Sequence, residues 1–161
     1  MAMLEPALAA LLEQWRAAGN SIVFTNGVFD LLHPGHIAQL RAARQQGDVL
    51  VVGLNSDASV KLQAKGEDRP ILDQAARRQI LEELRCVDGV AVFDEETPLE
   101  LISQIQPDVL VKGADYQGLE VVGRDIVEAR GGRVVLVPLV AGYSTSALIG
   151  RIRDSKCGTD C

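Results

Sequence analysis

The amino-acid sequence predicts an α/β fold, a doubly wound parallel sheet of five strands with helices on both faces. Five short runs rich in Val, Leu and Ile lack polar alternation, and this pattern is typical of strands buried on both faces. Segments with helical spacing separate the runs, and parallel neighbours need such crossovers. The predicted strands are Ser21–Thr25, Val49–Leu54, Gly89–Phe93, Asp108–Val111 and Arg133–Val137.

The helices are predicted from apolar spacing and from residues that typically begin or end a helix. The signals are, in chain order, the amphipathic segment from Leu4 to Ala18 with Trp15 in the core, the shared face of Ile37 and Leu40 before Gly47, the N-cap Asp73 before Ile80, Leu81 and Leu84, and the capping-box run Thr97-Pro98-Leu99-Glu100. In such folds ligands bind beyond the carboxyl ends of the strands, near the point where strand order reverses.

Length and composition indicate one globular domain. With 161 residues, 47% of them hydrophobic and 24% charged, we expect a domain over residues 1–153 and a polar tail over 154–161. A net charge of −6 argues against nucleic acid or an anionic membrane as the main partner. No apolar run approaches membrane-spanning length and no leader pattern is visible, so we expect a cytoplasmic protein. Three cysteines are too few for a disulfide framework, and Cys157 and Cys161 are expected to be free thiols.

The chain's two histidines follow the first predicted strand, three residues apart. Pro34 suits the first turn of a helix, because the hydrogen-bond donor that it lacks would have no partner there. Gly27 and Gly35 carry no side chain where a ligand would approach the backbone. His33 and His36 are therefore expected beside free backbone N–H groups at the positive end of a helix, a place suited to phosphate.

Two other interpretations of the histidines stay open at this point. At this spacing His33 and His36 are also compatible with helix-surface residues, and they could join Asp30 as metal ligands, although a third firm ligand is not evident. The combination of a buried strand, a glycine turn and two histidines at a helix start favours the phosphate site.

The run from Thr25 to His36 resembles the T-x-G-x-F-D-x-x-H-x-G-H signature of the nucleotidylyltransferase superfamily. A second run, from Gly142 to Ser146, resembles the hydroxyl-rich motif that opens the last helix of that superfamily. The resemblance implies a Rossmann-like fold, catalytic roles for His33 and His36, and ATP as co-substrate with Mg²⁺ or another divalent cation. The residues that it implies for nucleotide binding are Thr25, Asn26, Gly27, Val28, Phe29, Gly35, Ser144, Thr145 and Ser146, with backbone groups of Asn26 to Phe29 lining the nucleotide and Phe29 itself packed in the core.

The runs Lys65–Pro70 and Val111–Tyr116 narrow the resemblance to the adenylyltransferases that act on D-glycero-β-D-manno-heptose 1-phosphate, in the pathway to the ADP-heptose of lipopolysaccharide. This resemblance implies a catalytic role for Lys65, substrate contacts for Arg69, Lys112 and Asp115, and a homodimer. The chain has Leu139-Val140-Ala141 before Gly142, where related glycerol-phosphate cytidylyltransferases have an arginine-containing motif, so ATP is expected in preference to CTP. Many heptose enzymes are fused to a sugar kinase, and 161 residues leave no room for one, so we expect a stand-alone enzyme that depends on a separate kinase.

Several of these residues also have purely structural interpretations. Lys112 at a strand end requires a ligand or a carboxylate partner, and Asp115 is the structural candidate. Ser144 is equally well explained as a helix N-cap. Arg77 and Arg85 are possible phosphate partners, but at least one of them is expected on the surface.

Other functions are compatible with such a fold. A dinucleotide-dependent oxidoreductase is disfavoured because G-x-G-x-x-G is absent after the first strand, and a P-loop is absent as well. A transferase of AMP or CMP to another small phosphate, such as glycerol 3-phosphate, is the main alternative. A non-catalytic nucleotide-binding regulator is the second, although it would not need both histidines.

Overall fold

A computed structural model describes residues 4–63 and 68–155 and confirms the predicted fold class. Its sheet has five strands, all parallel, in the order β3-β2-β1-β4-β5. The strands are β1 (Ile22–Gly27), β2 (Val49–Asn55), β3 (Gly89–Phe93), β4 (Val109–Gly113) and β5 (Arg133–Val137). Each lies within two residues of a predicted apolar run at both ends.

Seven α-helices and one short 3₁₀ turn occupy the rest of the described chain. They are α1 (Pro6–Ala17), α2 (Pro34–Arg44), α3 (Asp57–Leu62), α4 (Gln74–Glu82), α5 (Leu99–Ile105), α6 (Arg124–Ala129), α7 (Thr145–Asp154) and the 3₁₀ turn Ala114–Tyr116. Within the described ranges, no helix combines the length and the apolar character needed to cross a membrane.

The two faces of the sheet carry separate apolar clusters, as a doubly wound fold requires. One cluster joins the sheet to α1, α5 and α6 through Leu8, Leu12, Leu101, Ile102, Ile105 and Val127, with Trp15 packed against it. The other joins the sheet to α2 and α4 through Leu40, Ala43 and Leu81, and it includes Phe29. In contrast, α7 contains no buried residue.

The helix ends agree with the sequence in two places and differ in a third. Asp73 caps α4, because its carboxylate accepts the Ala76 N–H at 2.8 Å. Ser144 caps α7 by accepting the Ala147 N–H at 3.0 Å. The capping-box prediction at Thr97 is wrong, because α5 begins one residue later with Pro98 as its N-cap and no side-chain cap.

The point of strand-order reversal lies between β1 and β4. The ladder between β1 and β2 has six residue pairs, whereas the ladder between β1 and β4 has only two, Val23 with Val109 and Phe24 with Leu110. β1 and β4 therefore stop pairing with each other before either strand reaches its carboxyl end. The run that contains the histidines begins in the last residues of β1, and Lys112 is the penultimate residue of β4.

Gly132 provides a test of the packing at the start of β5. A Cβ atom at this position would lie 2.5 Å from the Asp108 carbonyl oxygen and 2.7 Å from Cγ1 of Val127. The Asp108 carbonyl oxygen accepts the Arg133 N–H, and Val127 is buried between α6 and the sheet, so neither group can move without cost. We therefore expect Gly132→Ala to lower the free energy of unfolding by about 1–3 kcal/mol in urea titration. Gly150→Ala is the matched control, because a Cβ atom there meets no atom within 4 Å. Equal stability of the two variants would contradict this account.

Candidate active site

The turn that follows β1 has an uncommon backbone conformation. Phe29 has a φ of +48°, a region that bulky residues rarely adopt. Its ring is buried and lies so close to Gly27 that a Cβ atom there would be 3.0 Å from Phe29 Cε2. The prediction that Phe29 packs in the core is confirmed, and a glycine at position 27 leaves room for its ring.

Asp30 fixes this turn to the segment before α4. Its buried carboxylate accepts the Ile71 and Leu72 N–H groups at 2.8 and 2.9 Å and the Arg69 Nε–H at 2.8 Å. These partners occupy both carboxylate oxygens. The alternative in which Asp30 joins the histidines as a metal ligand is therefore not supported, and the described residues contain no group of three His, Cys, Asp or Glu side chains that could hold a metal ion.

Arg77 is the second buried charge beside the turn. Its Nη1 donates to the carbonyl oxygens of Val28 at 2.7 Å and Asn55 at 2.8 Å, and its Nε donates to that of Leu72 at 3.0 Å. Its Nη2 donates to Asp57 Oδ1 at 2.6 Å. The interpretation of Arg77 as a phosphate partner is wrong, because protein groups already engage the guanidinium and only 1% of the residue is exposed.

The two histidines lie at the start of α2, as predicted. Their rings are stacked with centroids 3.8 Å apart and an interplanar angle of 22°. The His33 backbone N–H donates to His36 Nδ1 at 3.3 Å. In neutral His36 the proton is therefore on Nε2, so the side chain offers an N–H donor to a ligand.

Both imidazoles are held in their neutral form. Burial lowers the pKa of His33. Burial, together with the proximity of His33, lowers the pKa of His36 to about 4. A neutral imidazole still has one N–H donor, so the pair can bind an anion without first bringing positive charge into the site.

A cleft of about 440 Å³ joins the turn, α2 and α7. Its lining includes seven residues: Val28, Phe29, Asp30, His36, Arg69, Thr145 and Ser146. The structure thus brings together predicted site residues that are more than 100 positions apart in the chain. A larger cleft, about 620 Å³, lies between α2 and the segment after α4, and its lining includes Arg41, Arg44 and Arg85 but neither histidine. The smaller cleft is the candidate site because its lining includes Val28, Phe29, Asp30 and His36 of the signature run, although His33 is not among the lining residues.

Lys112 lies in β4, across the point of strand-order reversal from the histidine run. Its Nζ donates to Asn26 Oδ1 and lies 5.3 Å from the centroid of the Tyr116 ring. Burial lowers the pKa of Lys112 to about 8, while the negative charge of Asp115 opposes the shift. Asp115, the predicted carboxylate partner, acts on Lys112 through its charge but forms no ion pair with it among the described residues, and the side-chain amide oxygen of Asn26 accepts the hydrogen bond.

Two other predicted site residues, Thr25 and Asp115, differ in their exposure to solvent. Thr25 is fully buried and its hydroxyl donates to the Val111 carbonyl oxygen at 3.0 Å, which argues against a direct side-chain contact with a nucleotide. Asp115 is exposed at the end of β4. Lys65 lies outside the described residues.

Sequence reasoning missed two features of the site. The first is the anchoring role of Arg77, because an arginine on an amphipathic helix gives no sign of distant partners. The second is Tyr143, whose ring centroid lies 6.1 Å from that of His33 at an interplanar angle of 20°. The only available signal for Tyr143 is its position next to the hydroxyl-rich motif.

The Arg77 network predicts a large loss of stability when its donors are removed. In Arg77→Met, the buried carbonyl groups of Val28 and Asn55 lose their donor, and each such loss costs about 1–3 kcal/mol. We therefore expect the free energy of unfolding in urea to fall by about 2–6 kcal/mol. The control is Arg78→Met, which removes surface ion pairs with Glu5 and Glu82 and is expected to cost less than about 1 kcal/mol. Similar losses in both variants would show that the burial of Arg77 is not decisive.

The lowered pKa of His36 predicts a pH-dependent stability. Between the ordinary pKa of 6.5 and the folded value of about 4, the unfolded chain binds more protons at this side chain than the folded chain does. The stabilising contribution is therefore fully present above pH 6.5 and is lost as the pH falls toward 4. Urea titrations of the wild type and of His36→Gln at pH 7.5 and 5 measure it. We expect a steeper decline for the wild type, and parallel declines would refute the assignment.

The chain is similar to known proteins in sequence and in fold. Residues 24–150 match the cytidylyltransferase-like family. The chain is 57% identical over 150 residues to the bifunctional protein HldE of Hyphomonas neptunium, covering 93% of this chain and 31% of that protein. The corresponding protein of Azorhizobium caulinodans is 56% identical over 144 residues, covering 89% and 30%. The chain thus spans less than a third of the length of these relatives.

Two solved structures resemble the fold. The lipopolysaccharide core biosynthesis protein from Thermoplasma volcanium has a TM-score of 0.63 and 29% identity, covering 78% of this chain and 100% of that one. Pantothenate synthetase from Thermus thermophilus has a TM-score of 0.51 and 26% identity, covering 80% and 60%. With the family match extending over most of the chain and the histidine signature in a cleft at the strand ends, the chain belongs to the cytidylyltransferase-like family of nucleotidyltransferase domains.

Proposed function

We propose that the chain transfers AMP from ATP to D-glycero-β-D-manno-heptose 1-phosphate, giving ADP-heptose and pyrophosphate for the inner core of lipopolysaccharide. The observation that carries the proposal is the cleft in which His36, Arg69, Thr145 and Ser146 converge. The choice of acceptor is supported by the heptose-type runs around Arg69 and Lys112, by the identity with proteins named HldE, and by the likeness to a lipopolysaccharide core biosynthesis protein.

In this proposal the triphosphate of ATP lies between the starts of α2 and α7. Backbone groups from Asn26 to Phe29, together with Gly35, line the nucleotide. The hydroxyls of Thr145 and Ser146 meet the β- and γ-phosphates, while Ser144 keeps the end of α7 capped. Two helix starts that face one anion give it N–H donors and a favourable dipole.

The chemistry is an in-line displacement at the α-phosphorus of ATP. A phosphate oxygen of the sugar phosphate forms the new P–O bond, and the bond to the β-phosphate oxygen breaks with release of pyrophosphate. No covalent intermediate with the protein is required, so the protein contributes positioning and electrostatic stabilisation. His33 and His36 donate hydrogen bonds to the phosphate oxygens as negative charge increases on them.

The acceptor phosphate is proposed to bind on the β4 side of the cleft. Lys112 is buried beside Asn26, and a phosphate that replaces this amide would give the ammonium group a charged partner. Arg69 is held by Asp30 through Nε, and among the described residues no group engages its terminal nitrogens, which are the proposed donors for substrate. Asp115 is the proposed contact to the sugar. Lys65 is proposed to meet the triphosphate and follow the charge of the leaving pyrophosphate.

Mg²⁺, or another divalent cation, is proposed to accompany ATP and to neutralise part of the triphosphate charge. Because the described side chains form no three-ligand cluster, they do not fit a metal site made by the protein alone, and the phosphate oxygens would be the main ligands. From the resemblance we also propose a homodimer in the cytoplasm, with small molecules as substrates and neither nucleic acid nor membrane as a partner.

Pyrophosphate release tests the proposal directly. The purified chain is assayed with ATP or CTP, each with heptose 1-phosphate or glycerol 3-phosphate. We expect turnover with ATP and heptose 1-phosphate, and a fall in kcat of about 10²–10³ in His33→Ala and in His36→Ala, because each loses a transition-state donor. Gln45→Ala, an exposed change at the other end of α2, is the control and is expected to retain normal kcat.

Three results would contradict the proposal. Comparable kcat/KM for CTP would remove the preference for adenine. Turnover confined to glycerol 3-phosphate would favour the alternative acceptor. A histidine variant with near-normal kcat and native circular dichroism would exclude that histidine from the catalytic step.

A further inference from the structure

Tyr143 lies beside the catalytic candidates although its side chain makes no hydrogen bond with the residues that the structure describes. Its ring is close to parallel to that of His33, which in turn stacks on His36 at a centroid distance of 3.8 Å. The side chain is half exposed and connects Gly142, which has a φ of +84°, to Ser144, the N-cap of α7.

Gly35 shows how closely the rings fit. A Cβ atom at Gly35 would lie 2.9 Å from Nδ1 and Cε1 of His33 and 3.3 Å from Cβ of Tyr143. Tyr143, His33 and the first turn of α2 therefore meet around a position that only glycine can fill without displacing one of them.

This packing matters for His33 because no well-formed hydrogen bond within the described residues fixes its ring. Its Nδ1 is buried and has no hydrogen-bond partner among the described residues. A histidine with a bound Nδ1 has its orientation and tautomer fixed by that bond, as His36 has through the His33 backbone N–H. The His33 and His36 side chains form a capping-box arrangement at the start of α2, but Nδ1 of His33 makes no well-formed hydrogen bond among the described residues. Contact with the rings of His36 and Tyr143, which flank the imidazole, therefore contributes to its orientation.

We propose that Tyr143 is a positioning residue that holds the His33 imidazole against His36, excludes water from its Nδ1, and so directs its Nε2 toward the phosphates. The inference rests on the proposed function for the catalytic importance of His33. It also connects two parts of the site, because the residue that orients His33 immediately precedes the hydroxyl motif at the start of α7. The titratable groups that face His33 among the described residues are His36 and Tyr143, and burial is what lowers the pKa of His33.

The chain has only two histidines, so imidazole NMR titration can follow His33 directly, with His36→Gln to assign the signals. In Tyr143→Ala, we expect the pKa of His33 to rise toward 6.5 and kcat for pyrophosphate release to fall about 10–100-fold, with KM for ATP little changed. In Tyr143→Phe, which keeps the ring, we expect both quantities to remain at wild-type values. If Tyr143→Ala loses helix content by circular dichroism, Tyr143→Leu replaces it, with the same expectation.

An unchanged His33 titration in the alanine or leucine variant would overturn the proposal. A phenylalanine variant that behaves like alanine would also overturn it, since the hydroxyl would then be the important group. A wild-type protein without transferase activity, but with the expected NMR shift in Tyr143→Ala, would refute the proposed function while supporting the positioning of His33 by Tyr143.

Discussion

The site depends on two buried charged side chains, Asp30 and Arg77, that both hydrogen-bond to the backbone before α4. Asp30 accepts the N–H of Leu72, while Arg77 donates to the carbonyl oxygen of the same residue. Arg77 also binds the carbonyl oxygen of Val28 in the histidine run and that of Asn55 at the end of β2. A buried charge is costly unless it is paired and hydrogen-bonded. Asp30 and Arg77 each make several hydrogen bonds, and together these bonds hold the strained turn at Phe29. Breaking any one of them would therefore lower the stability of the turn.

The second constraint is the separation of the two central strands. Backbone pairing between β1 and β4 ends early, and side chains take over: Thr25 binds the Val111 carbonyl oxygen and Asn26 binds Lys112. Side-chain bonds can be exchanged for bonds to a ligand, whereas a continuous ladder would close the space. This side-chain pairing gives the buried Lys112 a hydrogen-bond partner near the end of β4, and under the proposed function a ligand would replace that partner.

Much of the fold was predictable because buried parallel strands have a strong local signal. The six-residue helix α6 was missed, since so few residues show no periodicity. At Thr97 the local motif gave the wrong helix start, and at Asp73 and Ser144 it gave the right cap. In the site, the motif located the histidines and the hydroxyls of α7. The motif could not identify the partners of Arg77. They lie between 5 and 49 residues from Arg77 along the chain, and only folding brings them to its guanidinium group.

The low pKa values of the histidines fit the proposed chemistry better than permanent positive charges would. Burial keeps His36 neutral at physiological pH, with a pKa of about 4. The His33 backbone N–H donates to Nδ1 of His36 and so fixes the proton of His36 on Nε2. A neutral donor binds the ground-state phosphate only moderately. As negative charge accumulates on the transferring phosphoryl group, the same hydrogen bond strengthens, and a dry site amplifies the gain. Only interactions that are stronger in the transition state than in the ground state accelerate a reaction. In the proposed mechanism, the burial that suppresses the charge of the imidazoles would therefore also direct their binding energy to the moment of transfer.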